Sequence, residues 1–265
     1  MFKKILIILV AFWLLPLGAV QAESPAFDRA AIIGAVKKLT GHAFVTRGTL
    51  KAELEVGDAI FKNDIILTGS ESSIGIVFSD GSVFSLGEDA RMTIDSLVYD
   101  SASGEGASEV TVSQGVFKFI SGEIAANNPG DMVVDTPVAT LGVRGTTGGG
   151  KVVGAGGDNQ FYLEPNADGT IGSFDIKTDI GTITLNQPYM LAGIADIHTR
   201  PPEPEFTTPE VIEQEFAIPG VMPEGAYDGR PGTMQRQTAP AKQDSNRGKG
   251  VEQTPAEEAA VEFKP

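Results

Sequence analysis

Few residues in this chain have the types and spacing to do chemistry. Gly145-Thr146-Thr147-Gly148-Gly149-Gly150-Lys151 carries the glycines and closing lysine of a loop that wraps phosphate. Such a loop needs a Ser or Thr next, to reach magnesium, and then a helix whose N-terminus faces the phosphate. Val152 holds the first place and Val153-Gly154-Ala155-Gly156-Gly157 the second, so residues 147–158 are expected to be a flexible glycine loop. Asn166-Ala167-Asp168-Gly169-Thr170 offers oxygens and a Gly turn suited to a hard cation. It lacks the distal bidentate Glu of a calcium loop and reads as a hairpin turn. His42 and His198 do not have the spacing of a metal-ligand pair, and no serine stands on a nucleophile elbow. The absence of cysteine removes thiol nucleophiles, disulfides and thiolate metal sites. The chain is therefore expected not to be an enzyme, and no metal or other cofactor is expected.

Arg144 is the charge that demands a partner. It follows the uncharged run Val138–Val143, which reads as a strand buried on both faces, and it precedes two turn-prone residues. A buried guanidinium must meet a carboxylate or cap carbonyls. Asp80, Asp89, Asp95 and Asp135 are the candidates, in a fold-locking pair rather than an anionic-ligand site.

The elements that position these residues are strands. Ala43–Val45, Ala59–Phe61, Ile65–Leu67, Ile74–Phe78, Val83–Leu86 and Met92–Tyr99 read as short β segments, and Asp80-Gly81 as a two-residue hairpin turn. Val110–Val112, Val116–Ile120 and Met132–Val134 follow, then Gln160–Leu163, Gly172–Ile176, Gly181–Leu185 and Tyr189–Ala192. Short strands broken by turns, with no fixed repeat period, predict an all-β sandwich or barrel-like domain ahead of a solenoid. Ala30, Ile33, Val36 and Leu39 fall three apart, which fits a short helix or an edge strand. Pro201-Pro202-Glu203-Pro204 is a stiff spacer, and Thr208-Pro209 is a helix start that would put Ile212 and Phe216 on one face as a partner contact.

Charge and compartment come next. The net charge of −15 repels phosphate backbones and anionic lipid, so nucleic-acid binding is not expected. Lys3 and Lys4, the apolar run Ile5–Leu15 and Val20-Gln21-Ala22 spell a secretory signal cut ahead of Glu23, which takes the charge to −17 and leaves no stable membrane span; the alternative is an uncleaved membrane anchor. Trp13 lies in that signal, so the mature chain has no Trp for sugar stacking. The expected layout is a signal peptide at 1–22, a lead-in at 23–40, a β domain at 41–152 and further strands of it at 153–200. A linker and short helix at 201–218 and a disordered tail at 219–265 complete it.

One set of motifs carries a family resemblance. Val56-Gly57-Asp58, Thr68-Gly69, Asp80-Gly81-Ser82, Ser113-Gln114-Gly115, Thr136-Pro137 and Val143-Arg144-Gly145-Thr146 occur in an order and spacing that resemble the FecR-type periplasmic domain, over about residues 41–152. The resemblance implies an extracytoplasmic β-rich module that senses or binds, in the periplasm or secreted. Gly57, Asp58, Asp80, Gly81, Thr136, Pro137, Arg144, Gly145 and Thr146 would be its motif residues, in structural roles. The regulator that names the family has a cytoplasmic segment acting on a sigma factor. Here about four residues precede the apolar run, so neither that activity nor an iron role is expected. The partner would be an envelope protein or a small ligand. The alternatives are a component of envelope signal transduction and a carbohydrate- or cation-binding envelope protein.

Overall fold

The computed structural model describes residues 32–220, so the expected signal at 1–22, much of the lead-in and the expected tail beyond 220 lie outside the described residues. The chain passes between two sheets. β1 (Ile32–Thr40) starts sheet I, β2 (Ala43–Arg47) and β3 (Leu50–Glu53) start sheet II, and β4 (Ala59–Phe61) returns to sheet I. β5 (Ile65–Thr68) enters sheet II, β6 (Ser73–Phe78) and β7 (Val83–Leu86) sheet I, and β8 (Arg91–Tyr99) sheet II. β9 (Gly106–Ile120) runs through both sheets and ends at the short helix α1 (Glu123–Asn127). β10 (Met132–Asp135) and β11 (Thr140–Arg144) join sheet II, then β12 (Thr147–Val152) and β13 (Asn159–Glu164) sheet I. β14 (Ser173–Lys177) and β15 (Thr182–Leu185) close sheet II; β16 (Met190–Ile194), β17 (Glu205–Phe206) and the helix α2 (Pro209–Glu215) follow.

Sheet I has the order β4-β1-β6-β7-β9-β12-β13-β16-β17. Sheet II has the order β3-β2-β5-β8-β9-β10-β11-β14-β15. All pairings are antiparallel except β9 with β10. Apart from the edge strands β3 and β4, each sheet is laid down in chain order, so the molecule is an open β-sandwich that grows along the sequence.

The strand expected in two pieces is one. β9 pairs with β8 and β10 in sheet II, then bends and pairs with β7 and β12 in sheet I. The bend falls at Gln114-Gly115, where the register against β8 slips and Gly115 takes φ +98°. A Cβ there would lie 2.4 Å from that of Ala90, so only glycine fits this bulge.

A file of phenylalanine rings fills the space between the sheets. Phe78 meets Phe84 at 5.8 Å, Phe84 meets Phe119 at 6.0 Å, and Phe119 meets Phe174 at 6.0 Å, mostly in the tilted and edge-on arrangements that aromatic pairs prefer. Phe117 meets Phe161 at 6.4 Å. The glycine run corrects the expected loop, because residues 147–152 are the central strand β12 between β9 and β13. The rings dictate glycine here. A Cβ on Gly148 would lie 3.0 and 3.2 Å from Phe174 and Phe119, and one on Gly150 would lie 2.7 Å from Phe161.

Other local expectations are also revised. Residues 32–40 form a strand, and two bulges in β1 bring Ile33 and Val36 inward three apart, which imitates a helical stripe. The run Val138–Val143 is not a two-faced buried strand. Val138 and Ala139 belong to the tight β10–β11 loop, and β11 alternates between buried and half-buried residues. Asp80-Gly81 lies in a three-residue loop: Phe78 N donates to Ser82 O, Gly81 N donates to Phe78 O, and of Asp80 and Gly81 only Gly81 has positive φ. The Asn166 turn links β13 to β14 in the other sheet, so it is a crossover and not a hairpin.

Candidate functional site

Val83, Ile120, Thr147 and Glu164 form one row across β7, β9, β12 and β13, and the loops beyond that row meet at one end of the sandwich. Asp80 is 2% exposed in the β6–β7 loop. Its Oδ1 accepts from Ser82 N (3.1 Å) and Ser82 Oγ (2.6 Å), its main-chain O accepts from Glu123 N (2.9 Å), and its Oδ2 has no hydrogen-bond partner. Burial pushes the Asp80 carboxyl above its ordinary 3.8, against the pull of the Ser82 bonds. Gly122 lies against this loop: a Cβ there would stand 2.4 Å from both Asp80 O and Ser82 N.

The β11–β12 crossover reaches the same place. Gly145 takes φ +59° where the chain leaves sheet II, and Thr146 is fully buried with its O accepting from Ser121 N at 3.1 Å. Asn166 stitches the β13–β14 crossover onto it. Its Nδ2 donates to Gly145 O (3.1 Å) and Thr170 Oγ1 (3.0 Å), and its Oδ1 accepts from Thr147 Oγ1 (3.0 Å). Asp168 is held below its ordinary carboxylate value by the hydroxyl and N–H of Thr170. Between these segments is an open cavity of about 420 Å³, whose lining includes Ile120, Ala126, Gly145, Asn166, Asp168 and Thr170.

The structure thus gathers Asp80, Gly81, Gly145 and Thr146 and leaves the other motif residues elsewhere. Thr136-Pro137 sits at the opposite end of β11, where Thr136 closes the hairpin through N and Oγ1 donating to Ala139 O, while Oγ1 accepts from Ala139 N (3.0 Å). Gly57 and Asp58 brace β1: Gly57 N donates to Val36 O and Val36 N to Asp58 O, both at 2.9 Å. Arg144 pairs with Asp175 and not with Asp80, Asp89, Asp95 or Asp135. Its side chain is 38% exposed, on strand β11 beside β14, so it is a half-exposed cross-strand pair and not a buried one. Ile212 and Phe216 do not face outward: both are 3% exposed and pack on Tyr162 and Leu191 of sheet I.

Sequence reasoning missed one buried pair. Arg47 holds Asp64 bidentately, with Nε to Oδ1 and Nη2 to Oδ2 both at 2.6 Å, and stacks 4.0 Å above Phe61. Asp64 is fully buried and also accepts from Phe61 N. The legible signal was an Asp directly before the apolar Ile65-Ile66-Leu67, which reads as a turn and nothing more. His42 and His198 each contact a carboxylate, Glu53 and Asp179, but both are exposed and belong to different parts of the sandwich. Among the described residues, no group of three His, Cys, Asp or Glu could hold a metal ion.

Residues 64–163 match the FecR protein family. The chain carries a FecR domain. The match runs from the buried Asp64 through Leu163 in β13, so it covers β5 to β12 and almost all of β13, while the strands on either side extend both sheets beyond it. Two crystal structures of candidate anti-sigma factors from Parabacteroides distasonis resemble the chain in fold. One has a TM-score of 0.44 at 13% identity over 57% of this chain and 63% of its own; the other 0.40 at 14% over 54% and 60%. The chain thus spans less than two thirds of either protein, and at these scores the likeness carries no function across. No curated protein matches the chain.

Proposed function

We propose that this protein is a non-enzymatic binding module of the cell envelope, acting in signal transduction by holding a partner rather than by changing it. The observation that carries the reading is the convergence of FecR-domain residues on the cavity end of the sandwich. Asp80-Gly81, Ser121-Gly122 and Gly145-Thr146 are spent on holding three loops together, and the cavity beside them is mostly apolar, with hydroxyl, amide and carboxylate groups from Thr147, Asn166, Asp168 and Thr170. No Lys, Arg or His lines it to bind an anion, and its one carboxylate, Asp168, is exposed at the edge where a ligand would meet it. The ionised Asp168 and the acidity of the chain favour a neutral or basic contact.

A photo-cross-linking residue at Ala167, on the cavity rim, tests this in intact cells. The expected result is one discrete cross-linked envelope component that is lost when the residue is moved to Ile180. Equal labelling from both positions, or none from Ala167, overturns the assignment.

A further inference from the structure

The segment that follows β17 crosses the outer face of sheet I from one side to the other. Thr207 N donates to Tyr189 O beside β16. Thr208 caps α2 and Pro209 opens it. Ile212 and Phe216 then pack on Tyr162 and Leu191, with the Phe216 ring 4.5 Å from that of Tyr162. Beyond the helix, Ile218 lies beside Gly87 at the end of β7, and Pro219 O accepts from Ser73 Oγ of β6 at 3.0 Å.

This cover is weakly built. The α2 helix has seven residues, well below the length at which a helix is stable by itself. Glu213 and Glu215 stand in its last turn with no basic residue there, and the carbonyl end of a helix disfavours negative charge. Between its tethers at Thr207 and Pro219, α2 is seated by Ile212 and Phe216, and the cluster they make with Tyr162 and Leu191 is separate from the phenylalanine core. The cover can therefore lift without opening the sandwich. Lifting it would bare an aromatic and aliphatic groove.

We infer that this groove on sheet I is a docking site for an amphipathic helix of a partner protein, and that α2 occupies it as a displaceable internal stand-in. The partner helix would carry an aliphatic and an aromatic anchor four residues apart, as α2 does, and basic residues in its last turn. Those residues satisfy the helix end that Glu213 and Glu215 oppose, and they complement the charge of −15. The inference rests on the reading of the protein as a binding module, but uses a face away from the cavity.

The test uses the chain from Glu23 to its end and a labelled synthetic peptide of residues 207–220 bearing Glu213→Lys and Glu215→Lys. The peptide is expected to bind and to shift the amides of Val116, Tyr162 and Leu191. Loosening the chain's own cover with Phe216→Ala should tighten binding about tenfold, because the free groove is then more populated. Thr208→Ala, which removes only the cap, should tighten it less and serves if Phe216→Ala unfolds. A peptide lacking both anchors should not bind. Equal affinity for wild type and both variants, or unshifted groove amides, overturns the inference. Self-association of the loosened chain that excludes the peptide assigns the groove to a second copy and also overturns it. Peptide binding without a cross-link from Ala167 would sink the cavity reading alone, and the reverse would sink this one alone.

Discussion

Replacing Gly150 by alanine, beside the same change at Gly142, tests the claim that the glycine run is a strand shaped by the core. Both glycines lie in strands with ordinary backbone angles, Gly150 in β12 and Gly142 in β11. Their surroundings differ. A Cβ on Gly150 would stand 2.4 Å from Gln160 O, 2.7 Å from Phe161 Cδ1 and 3.3 Å from Phe117 Cε1. One on Gly142 meets nothing within 4 Å. The Gln160 oxygen is backbone held in the β12–β13 ladder, and the Phe161 ring leans on Phe117, so neither can withdraw without moving its neighbours. Overpacking of this kind costs about 1–3 kcal/mol. In a domain of this size each kcal/mol lowers Tm by about 2–4 °C, so Gly150→Ala should melt roughly 2–12 °C below wild type. Gly142→Ala should stay within about 0.5 kcal/mol, helped by the smaller entropy of its unfolded chain. Urea unfolding with unchanged m, read beside calorimetry, measures both. If residues 147–158 were a solvent-exposed loop, both changes would be silent. Equal stability of the two variants refutes the packing argument.

Other outcomes follow from the ion pairs and the buried acid. Asp64→Ala removes the bidentate acceptor of Arg47 and the acceptor of the Phe61 N–H, and should cost about 3 kcal/mol in denaturant unfolding, as breaking a buried pair does. Arg144→Ala removes a half-exposed pair and should cost no more than about 1 kcal/mol at neutral pH. Asp175 is held below its ordinary 3.8, by the Arg144 hydrogen bond first, so that contribution is present above 3.8 and is lost as pH falls through the depressed value. Stability curves of wild type and Arg144→Ala should therefore converge in acid. Asp80 has the opposite sign: its folded value is raised, so its protonated form stabilises below 3.8 and that gain is lost as pH rises through the raised value. Asp80→Asn keeps an acceptor for Ser82 and should flatten that part of the curve; an unchanged slope would show that Asp80 does not titrate there.

Much of the architecture was legible in local pattern. The β-prone runs Ile74–Phe78 and Val83–Leu86 and the Thr208-Pro209 start of α2 are properties of neighbouring residues, and a strand, a strand and a helix appear there. The motif order from Thr68-Gly69 to Gly145-Thr146 was likewise enough to place the chain with the FecR domain. What failed were inferences in which a residue's meaning depends on a distant partner. Glycine signals a loop when only chain entropy is weighed. Gly148 and Gly150 are strand residues because Phe117, Phe119, Phe161 and Phe174 arrive from three other strands and need the space.

The partner of Arg144 illustrates the same limit. All four expected carboxylates lie earlier in the chain, while Asp175 is brought beside β11 by the β14 register. The amphipathic face of Ile212 and Phe216 was also visible, but not what it would cover. By itself the sequence determined most of the strands, the acidic charge and the family motifs, because these are set by composition and by contacts along the chain. Only the tertiary structure decided which loops meet at the cavity and which face α2 closes, because those are set by how two sheets stack and by residues that are far apart until they do.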